Sequence, residues 1–323
     1  MKYFRFSTRR LLFEKLSNIL VRNENFCTFV PRHEPVCEAD VRDLQSFVDN
    51  SKRMLVLTGA GVSTESGLPD YRSAEVGLYA KSNHKPMEIK AFLESEAMRK
   101  KYWSRNYIAF PRLTRIEPNY THLTLTKWER SNRLVSTVTQ NVDRLHQKSG
   151  SKNVIELHGN GYVVKCTDSN KVGCGYKISR SVFQQHLNEL NNDLFEKFDS
   201  IAGTLRPDMD VDINSNYVQN FKIPQCPQCC GILKPDIIFF GDNVPKCTVE
   251  KVYKLVEASD SFLVLGSSLS VFSAYRFVLF ANELKKPIAI VNIGSTRADA
   301  LKLLHINKRC GEILPLLKVE AVS

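Results

Sequence analysis

The stretch from residue 54 to residue 72, MLVLTGAGVSTESGLPDYR, is the feature that most constrains how this 323-residue chain can fold. It begins with an apolar run, 54–57, of the length of a buried parallel strand, and continues into the glycine turn 58–61. Residues 63–65 can then open a helix. A strand, a glycine turn and a helix start form a cradle for phosphate, because glycine lets the backbone approach the anion and the helix start offers free N–H groups.

The glycine spacing on its own leaves two interpretations open. A dinucleotide fingerprint, G-x-G-x-x-G, would place its third glycine at position 64, where this chain has Thr64. The alternative is an ordinary turn between a strand and a helix. The loop that follows, 66–72, cannot continue the helix past Pro69, and it carries Asp70, Tyr71 and Arg72. We expect this loop to fold over a bound cofactor.

Four more apolar strands are predicted, and each runs into polar or glycine residues. The strands and their following residues are 133–139 with 140–143, 154–157 with 158–159, 262–265 with 266–268, and 288–291 with 292–294. In an open parallel sheet, ligands bind outside the carboxyl ends of the strands. The sequence therefore predicts an α/β fold with a Rossmann-like parallel sheet, and a binding site at this edge. A helix at 39–50 is predicted before the first strand.

The segment 74–118 is rich in basic and aromatic residues and predicts short helices around loops. Its aromatic residues Tyr102, Trp103, Tyr107 and Phe110 have helical spacing. A surface that stacks nucleic-acid bases is one interpretation, but this spacing is more typical of a buried helix face. We therefore expect no nucleic-acid partner.

The cysteines predict a zinc site. Nine cysteines in a chain without a secretory signal favour thiols or metal ligands over disulfides. Cys226 and Cys229 have the C-x-x-C spacing that binds zinc, and Cys166 and Cys174, which are separated by seven residues, are the expected partners. A zinc ion with four thiolate ligands has no open position, so it would be structural. Cys230 is expected to be a bystander.

The amino-terminal residues predict a mitochondrial address. Residues 1–22 hold six basic residues against Glu14 alone and interleave them with apolar ones, as a presequence does. A basic surface helix or a nucleic-acid arm are the alternatives. Without this segment the net charge falls from +11 to +6, with 39 basic and 33 acidic residues. No run of 18 apolar residues occurs, so we expect no membrane insertion.

These patterns divide the chain into three parts. We expect a presequence and linker at 1–38, a Rossmann-like domain at 39–160 and 232–318, and a small inserted zinc-binding domain at 161–231. The inserted part is polar and is bracketed by the cysteines. A small polar insert gains from a metal that fastens it, because it buries little apolar surface of its own.

His158 is the candidate general base. It follows a predicted strand, it precedes Gly159, and it lies fifteen residues beyond Asp143 at the neighbouring strand end. Histidine titrates near neutral pH and can take a proton from a hydroxyl group. A buried structural histidine is the alternative interpretation.

Several motifs together resemble the sirtuin family from about residue 50 to residue 312. They occur in sirtuin order and spacing: GAGVSTESGLPDYR, QNVDRLH at 140–146, ELHG at 156–159, the paired cysteines, KPDIIFFG at 234–241, GSSL at 266–269 and NIG at 292–294. PDYR, EVGLYA and the ending RCGEILPLL are most similar to class II, the mitochondrial sirtuin-four type.

The resemblance implies a cleft between the two domains that holds NAD and an acylated lysine. His158 and Asn141 would be catalytic, and Ile238 would lend its backbone to the acyl-lysine. Asn141 and Asp143 would form the nicotinamide pocket. The residues that the resemblance assigns to NAD are Gly59, Ala60, Gly61, Ser63, Asp70, Tyr71, Arg72, Gln140, Asn141, Val142, Asp143, Gly266, Ser267, Ser268, Asn292, Ile293, Gly294 and Cys310.

The resemblance also implies the reaction. The acyl oxygen would attack the ribose carbon as nicotinamide leaves, and His158 would take a proton relayed from a ribose hydroxyl. NAD would be consumed as a co-substrate, giving free lysine, nicotinamide and O-acyl-ADP-ribose. We expect a protein-lysine deacylase of the mitochondrial matrix that binds one structural zinc per chain and acts on acylated mitochondrial proteins.

Three departures and three alternatives accompany this interpretation. Residues 169–173 are an apparent insertion in the first cysteine pair, Ser273 stands where many sirtuins have proline, and Tyr71 replaces a commoner phenylalanine.

Transfer of ADP-ribose to a protein is the first alternative function, and a non-catalytic NAD or ADP-ribose sensor is the second. A hydride-transferring dehydrogenase is disfavoured because the expected acidic residue is absent near Tyr79.

Overall fold

The structure is a computed structural model that describes residues 29–81, 86–168, 173–192, 205–211, 213 and 218–320. The presequence prediction for residues 1–22 lies outside the described residues. In the part of the chain that is described, no helix combines the length and the apolar character needed to cross a membrane.

A parallel sheet is the centre of the fold, as the sequence predicted, and it has six strands where the sequence indicated five. Its strands are β1 (Met54–Thr58), β2 (Leu134–Thr139), β3 (Val154–Glu156), β7 (Ser261–Leu265), β8 (Ile288–Val291) and β9 (Leu304–Ile306). Their order across the sheet is β3-β2-β1-β7-β8-β9, with every pair parallel. The strand order reverses between β1 and β7, and such a switch point is where doubly wound sheets bind ligands.

Helices cover both faces of this sheet. Some of the helices pack on this sheet and others lie beside the second sheet described below. The bounds of the helices that the structure describes are α1 (Glu38–Asp49), α2 (Leu78–Lys81), α3 (Ile89–Glu94), α4 (Glu96–Leu113), α5 (Tyr120–Arg130), α6 (Leu145–Lys148), α7 (Arg180–Leu190), α8 (Lys246–Ala258), α9 (Phe272–Glu283) and α10 (Cys310–Ile313). Leu44 of α1 and Trp128 of α5 pack on one face, and Val252 of α8 and Phe277 of α9 pack on the other. All five residues of β1 are buried, so the first strand lies between two apolar layers.

A second, antiparallel sheet stands apart from the first. It consists of β4 (Gly159–Thr167), β5 (Lys177–Ser179) and β6 (Ile232–Ile237) in the order β5-β4-β6. Trp103 of α4 packs its ring 4.6 Å from that of Phe183 on α7, and its Nε1 donates a hydrogen bond to the Leu233 carbonyl at 3.0 Å. The aromatic residues of α4 therefore belong to the core next to this sheet.

The prediction of short helices between residues 74 and 118 was wrong in one respect. α4 runs unbroken for 18 residues, Glu96–Leu113. Residues 102–110 of this helix are all buried, so the helix has no polar stripe opposite an apolar one along that stretch. The predicted helix at 39–50 is confirmed as α1, and β9 is a sixth parallel strand that the sequence did not predict.

Candidate active site

Glycine lets the ends of β1 and β7 approach each other. A Cβ atom on Gly59 would lie 2.7 Å from the carbonyl oxygen of Gly266, and one on Gly61 would lie 2.8 Å from the same oxygen. Gly266 has a φ of 55°, and its own Cβ would lie 2.5 Å from the nitrogen of Val62. These contacts leave no room for side chains, so backbone alone forms this part of the site. The turn continues as a 3-10 helix, Ala60–Ser66.

Three polar side chains after β1 and β2 form a hydrogen-bonded chain. Asn141 Nδ2 donates to Ser63 Oγ at 3.1 Å, and Ser63 Oγ donates to Asp143 Oδ2 at 2.7 Å. The N–H of Leu145 donates to the other carboxylate oxygen at 3.0 Å. Burial raises the pKa of Asp143, and these hydrogen bonds partly offset that rise. The carboxyl group is thus fixed in orientation at the cavity wall.

Side chains also tie together the loops that follow β2, β7 and β8. Gln140 Nε2 donates to Ser267 Oγ at 2.8 Å, which joins the ends of β2 and β7. Asn292, after β8, turns its Nδ2 back onto the carbonyl groups of Ile293 at 3.0 Å and Gly294 at 3.2 Å. The polar strand ends that the sequence predicted therefore meet at one edge of the sheet.

The loop after the 3-10 helix is fixed by Asp70. Its Oδ1 accepts from the N–H groups of Arg72 at 3.0 Å and Ser73 at 2.8 Å. The ring of Tyr71 lies 5.8 Å from that of Tyr79, and the Arg72 guanidinium lies 5.4 Å from the Tyr79 ring centre. Burial raises the pKa of Tyr71 well above its usual value. The phenol therefore stays neutral beside the guanidinium.

His158 lies between β3 and β4 and is bonded at both ring nitrogens. Nδ1 lies 3.0 Å from the carbonyl oxygen of Gln140, and Nε2 lies 2.8 Å from Ser273 Oγ. A carbonyl oxygen can only accept, so Nδ1 carries the proton of the neutral ring and Nε2 carries the lone pair. Burial lowers the pKa of His158 to about 4, and the bond to Gln140 offsets part of that shift. The ring is neutral at pH 7 and can accept a proton at Nε2.

These residues share a cavity of about 1340 Å³ at the carboxyl ends of the strands. Ligand pockets commonly measure about 300–1,000 Å³, so this volume suits a dinucleotide together with a second substrate. The predicted site residues that line it are Gly59, Ala60, Gly61, Ser63, Asp70, Tyr71, Arg72, Gln140, Asn141, Val142, Asp143, His158, Ile238, Gly266, Ser267, Ser268, Asn292, Ile293 and Gly294.

Cys310 lies apart from these residues. It lines a small pocket of about 30 Å³ that shares Gly61 and Asn292 with the large cavity. Its thiol donates to the carbonyl oxygen of Val291 at 3.4 Å, and burial raises the pKa of this thiol. A neutral, buried thiol of this kind packs against the wall of the site.

The sequence did not predict that residues 31–33 line the cavity, because it indicated only a linker there. Nε2 of His33 lies 3.1 Å from the carboxylate of Glu312, and Nε of Arg32 lies 3.7 Å from that of Glu75. Glu312 raises the pKa of His33 chiefly through this hydrogen bond. Both contacts join residues far apart along the chain, and no local pattern signals them.

Asp208 and Ser273 are two further lining residues that the sequence did not assign. The charge of Asp208 contributes to the raised pKa of Tyr71 and of Tyr102, where burial is the larger cause. Asp208 therefore places negative charge at the part of the cavity wall that carries these phenols. The sequence marks Ser273 only as a departure from the sirtuin pattern, and in the structure its Oγ lies 2.8 Å from Nε2 of His158.

The four predicted zinc ligands converge beside the second sheet. The Sγ atoms of Cys166, Cys174, Cys226 and Cys229 all lie within 4.8 Å of one another. The Sγ–Sγ distance is 3.4 Å for one pair and 3.5 Å for another, close to the roughly 3.8 Å that tetrahedral zinc with Zn–S bonds of about 2.3 Å requires. Four thiols in this arrangement are positioned to bind one structural zinc ion.

The insertion between Cys166 and Cys174 does not prevent this convergence. Residues 169–172 lie outside the described residues, yet both flanking thiols reach the cluster. Cys230 is exposed and does not belong to the described cluster. Its N–H instead donates to the carbonyl oxygen of Cys226 at 2.8 Å and closes the turn.

The sequence matches a family model described as "Sir2 family" over residues 59–273. It is 51% identical over 289 residues to a Drosophila melanogaster protein named "NAD-dependent protein deacylase Sirt4", which covers 90% of each chain. It is 47% identical over 289 residues to a Homo sapiens protein named "NAD-dependent protein lipoamidase sirtuin-4, mitochondrial", which covers 90% of this chain and 89% of the human one.

Solved structures show the same fold. The structure named "Structural Basis for the Mechanism and Regulation of Sir2 Enzymes" aligns with a TM-score of 0.64 at 27% identity, covering 87% of this chain and 96% of the other. The structure named "Sir2-p53 peptide-NAD+" aligns with a TM-score of 0.64 at 28% identity, covering 85% and 96% of the two chains.

Proposed function

Since this chain belongs to the Sir2 family, we infer that it is an NAD-dependent protein deacylase, the activity named for its fly relative. NAD is the co-substrate. One of the solved Sir2 structures is named for a peptide and NAD, which supports a protein and NAD as the two substrates. The acyl group leaves the lysine of a protein substrate and is transferred to ADP-ribose, while nicotinamide is released.

One observation carries this proposal, the state of His158. Its ring is neutral, its Nδ1–H is bound to the Gln140 carbonyl oxygen, and its Nε2 lone pair lies against Ser273 Oγ; both residues line the cavity that the glycine turn also lines. A base of this kind takes a proton from a ribose hydroxyl: the O–H bond breaks, an N–H bond forms at Nε2, and the imidazolium keeps its bond to Gln140. The ribose oxygen can then close on the acyl carbon.

The remaining polar residues have binding roles in this proposal. The backbone of 59–61 and the Ser63 hydroxyl hold the pyrophosphate, and Arg72 with Tyr71 closes over the cofactor. Asn141 and Asp143 hold nicotinamide, and the chain of bonds through Ser63 supports these roles because it fixes both side chains. The adenosine end is held by the residue groups 266–268 and 292–294, and Cys310 packs behind them.

The acyl-lysine is held at Ile238. The N–H of Ile238 donates to the carbonyl oxygen of His158 at 2.8 Å. The Ile238 carbonyl is therefore the backbone group that can accept a bond from the lysine amide N–H. The bond between Ile238 and His158 supports a position of the acyl group beside the base. The human relative is named a lipoamidase, so lipoyl-lysine is the first acyl group to test.

The domain division is also part of the proposal. Residues 39–160 and 232–318 form the NAD-binding domain, and residues 161–231 form the zinc-binding insert. The separation of the parallel sheet from the antiparallel one supports two units, although β6 (Ile232–Ile237) pairs with β4 (Gly159–Thr167) across the second boundary. The zinc ion would fix the insert and take no part in the chemistry.

The protein acts in mitochondria. Its human and cattle relatives are both named mitochondrial, which supports this compartment. The basic, acid-poor segment 1–22 supports a presequence, and with it the matrix as the site of action and matrix proteins as substrates.

Mass spectrometry of the protein incubated with NAD and a panel of acylated peptides tests the function. The panel contains acetyl, lipoyl, branched dicarboxylic and long-chain acyl groups. Release of an O-acyl-ADP-ribose of matching mass from one peptide is the expected result. ADP-ribose mass on a protein, with every peptide still acylated, would favour the transferase alternative, and intact NAD would favour the sensor.

A further inference from the structure

Ser273 is hydrogen-bonded to Nε2 of His158, the ring nitrogen that accepts the proton in the proposed reaction. The Nε2 atom of a neutral imidazole has one lone pair, directed in the ring plane, and it accepts one strong hydrogen bond. Ser273 Oγ lies 2.8 Å from this atom. Because Nδ1 holds the ring proton against Gln140, the Ser273 hydroxyl must be the donor of this bond. Any other hydroxyl that is to give its proton to Nε2 has to displace it.

We propose that Ser273 is a positioning residue that caps the lone pair of His158 before substrate binds and gives up this place to the ribose hydroxyl. This inference rests on the function proposed above. The cap satisfies the lone pair of His158 in the free protein, while the Nδ1–H bond to the Gln140 carbonyl keeps the imidazole in its orientation. When NAD binds, the ribose hydroxyl therefore has to replace the Ser273 hydroxyl as the hydrogen-bond donor to Nε2.

The position of Ser273 allows this exchange without movement of the backbone. The residue is the second of helix α9 (Phe272–Glu283) and lines the cavity, and it is only partly buried. Rotation about its one side-chain torsion takes the hydroxyl away from the imidazole and toward the cavity. His158 stays in place meanwhile, because its Nδ1–H remains bonded to the Gln140 carbonyl.

Chemical labelling reports on the cap directly. Diethyl pyrocarbonate reacts with the lone pair of a neutral imidazole. Since burial lowers the pKa of His158 to about 4, the ring stays neutral between pH 6 and pH 8. The labelling rate then reports whether the Nε2 lone pair is free or hydrogen-bonded, and does not report a change in protonation state. Peptide mass spectrometry separates His158 from the other histidines of the chain.

The matched variants are Ser273→Val and Ser273→Thr, which have the same shape but differ in the hydroxyl. In the ligand-free protein, Ser273→Val should label at His158 about three- to tenfold faster than Ser273→Thr, the range that one net hydrogen bond supplies. Ser273→Thr should label at the wild-type rate, as should Ser270→Ala three residues earlier. Equal rates in the Val and Thr variants would overturn the cap. Ser273→Ala serves as a second hydroxyl-free variant if Val disturbs α9.

Turnover gives a second readout that a purely structural role would not move. With the cap removed, the KM for NAD should fall about threefold or more in Ser273→Val relative to Ser273→Thr while kcat is unchanged, because the hydroxyl no longer competes. A lower kcat at constant KM would place Ser273 in the chemical step and contradict the cap. If the wild-type protein fails to turn over NAD, the proposed function fails, and the labelling rates still decide the role of Ser273.

Discussion

The two sheets of this protein present their reactive side chains in opposite ways. At the edge of the parallel sheet, polar groups from several strand ends face an open cavity and bond to one another around it. Beside the antiparallel sheet, the four thiols turn toward one another instead and leave no position for a substrate. The difference separates the part of the molecule to which we assign the chemistry from the part whose thiols are positioned to bind a metal.

Removal of one zinc ligand is expected to have the largest effect on this contrast. Cys226→Ser leaves three thiols, so we expect zinc content well below one ion per chain and unfolding of the antiparallel sheet at lower temperature. Structural zinc sites contribute about 10–16 kcal/mol of binding free energy in small domains, which is why the loss should be severe. Metal analysis and thermal unfolding measure the two effects.

Cys230→Ser is the matched control for the zinc prediction. Cys230 adjoins the ligand Cys229 but is exposed and lies outside the described cluster. This variant should keep one zinc per chain and the wild-type unfolding temperature. Full zinc occupancy in Cys226→Ser would remove Cys226 from the site and weaken the contrast between the sheets.

The second test acts on the open site alone. His158→Ala removes the base, and because a positioned general base contributes about 10²- to 10⁴-fold, kcat should fall by that factor with unchanged zinc content. His186→Ala on α7, beside the other sheet, is the control and should keep wild-type kcat. Deacylation kinetics and metal analysis check the pair. Normal turnover by His158→Ala would exclude the histidine from the reaction.

The third test concerns the nicotinamide pocket. Asp143 accepts hydrogen bonds from Ser63 Oγ and the Leu145 N–H, so Asp143→Asn turns an amide N–H₂ toward a buried donor. Leaving such a group unsatisfied costs about 1–3 kcal/mol, and nicotinamide inhibition should weaken about five- to 150-fold. Steady-state inhibition kinetics measure this change. An unchanged inhibition constant in Asp143→Asn would count against the assigned pocket.

The smallest expected effect is a loss of folding stability at acidic pH. Burial lowers the pKa of His146 and His158 to about 4 and that of His122 well below its usual value, and all three pack around the parallel sheet. The unfolded chain binds these protons below about pH 6.5 while the folded one does not, so stability is present above pH 6.5 and is lost as pH falls toward 4.

His146→Gln isolates one of these contributions. Between pH 6 and pH 5 it should lose about 1 kcal/mol less of its unfolding free energy than the wild type loses, because one proton fewer is taken up on unfolding. Urea unfolding at the two pH values measures the difference. The same slope in His146→Gln as in the wild type would show that His146 does not titrate in this way.

The sequence predicted those parts of the fold that depend on neighbouring residues. β1 and its glycine turn, the polar strand ends and the C-x-x-C pair all follow from short patterns, and each is confirmed as a structural feature. The buried helix face at 102–110 was predicted, but the full length of α4 was not. Because every residue from 102 to 110 is buried, that stretch has no polar stripe from which the helix could be followed to its ends. β9 has only three residues, with His305 between Leu304 and Ile306, so it presents no two adjacent apolar residues that would indicate a strand.

The parts of the site that were missed depend on contacts between distant residues. Ser273 meets His158 across 115 positions of the chain, and His33 meets Glu312 across 279. No spacing rule connects such residues, because the fold alone brings their elements together. The tautomer of His158 could not be predicted from the sequence either, because the carbonyl oxygen of Gln140 determines which ring nitrogen carries the proton.

The stoichiometry of the reaction tests the central claim most directly. Nicotinamide release and peptide deacylation would be followed together in one reaction mixture of the zinc-loaded protein, NAD and the preferred acyl-peptide. We predict one nicotinamide, one free lysine and one O-acyl-ADP-ribose per cycle, and formation of all three about 10²- to 10⁴-fold slower in His158→Ala. Nicotinamide release without deacylation, or deacylation without NAD, would contradict it.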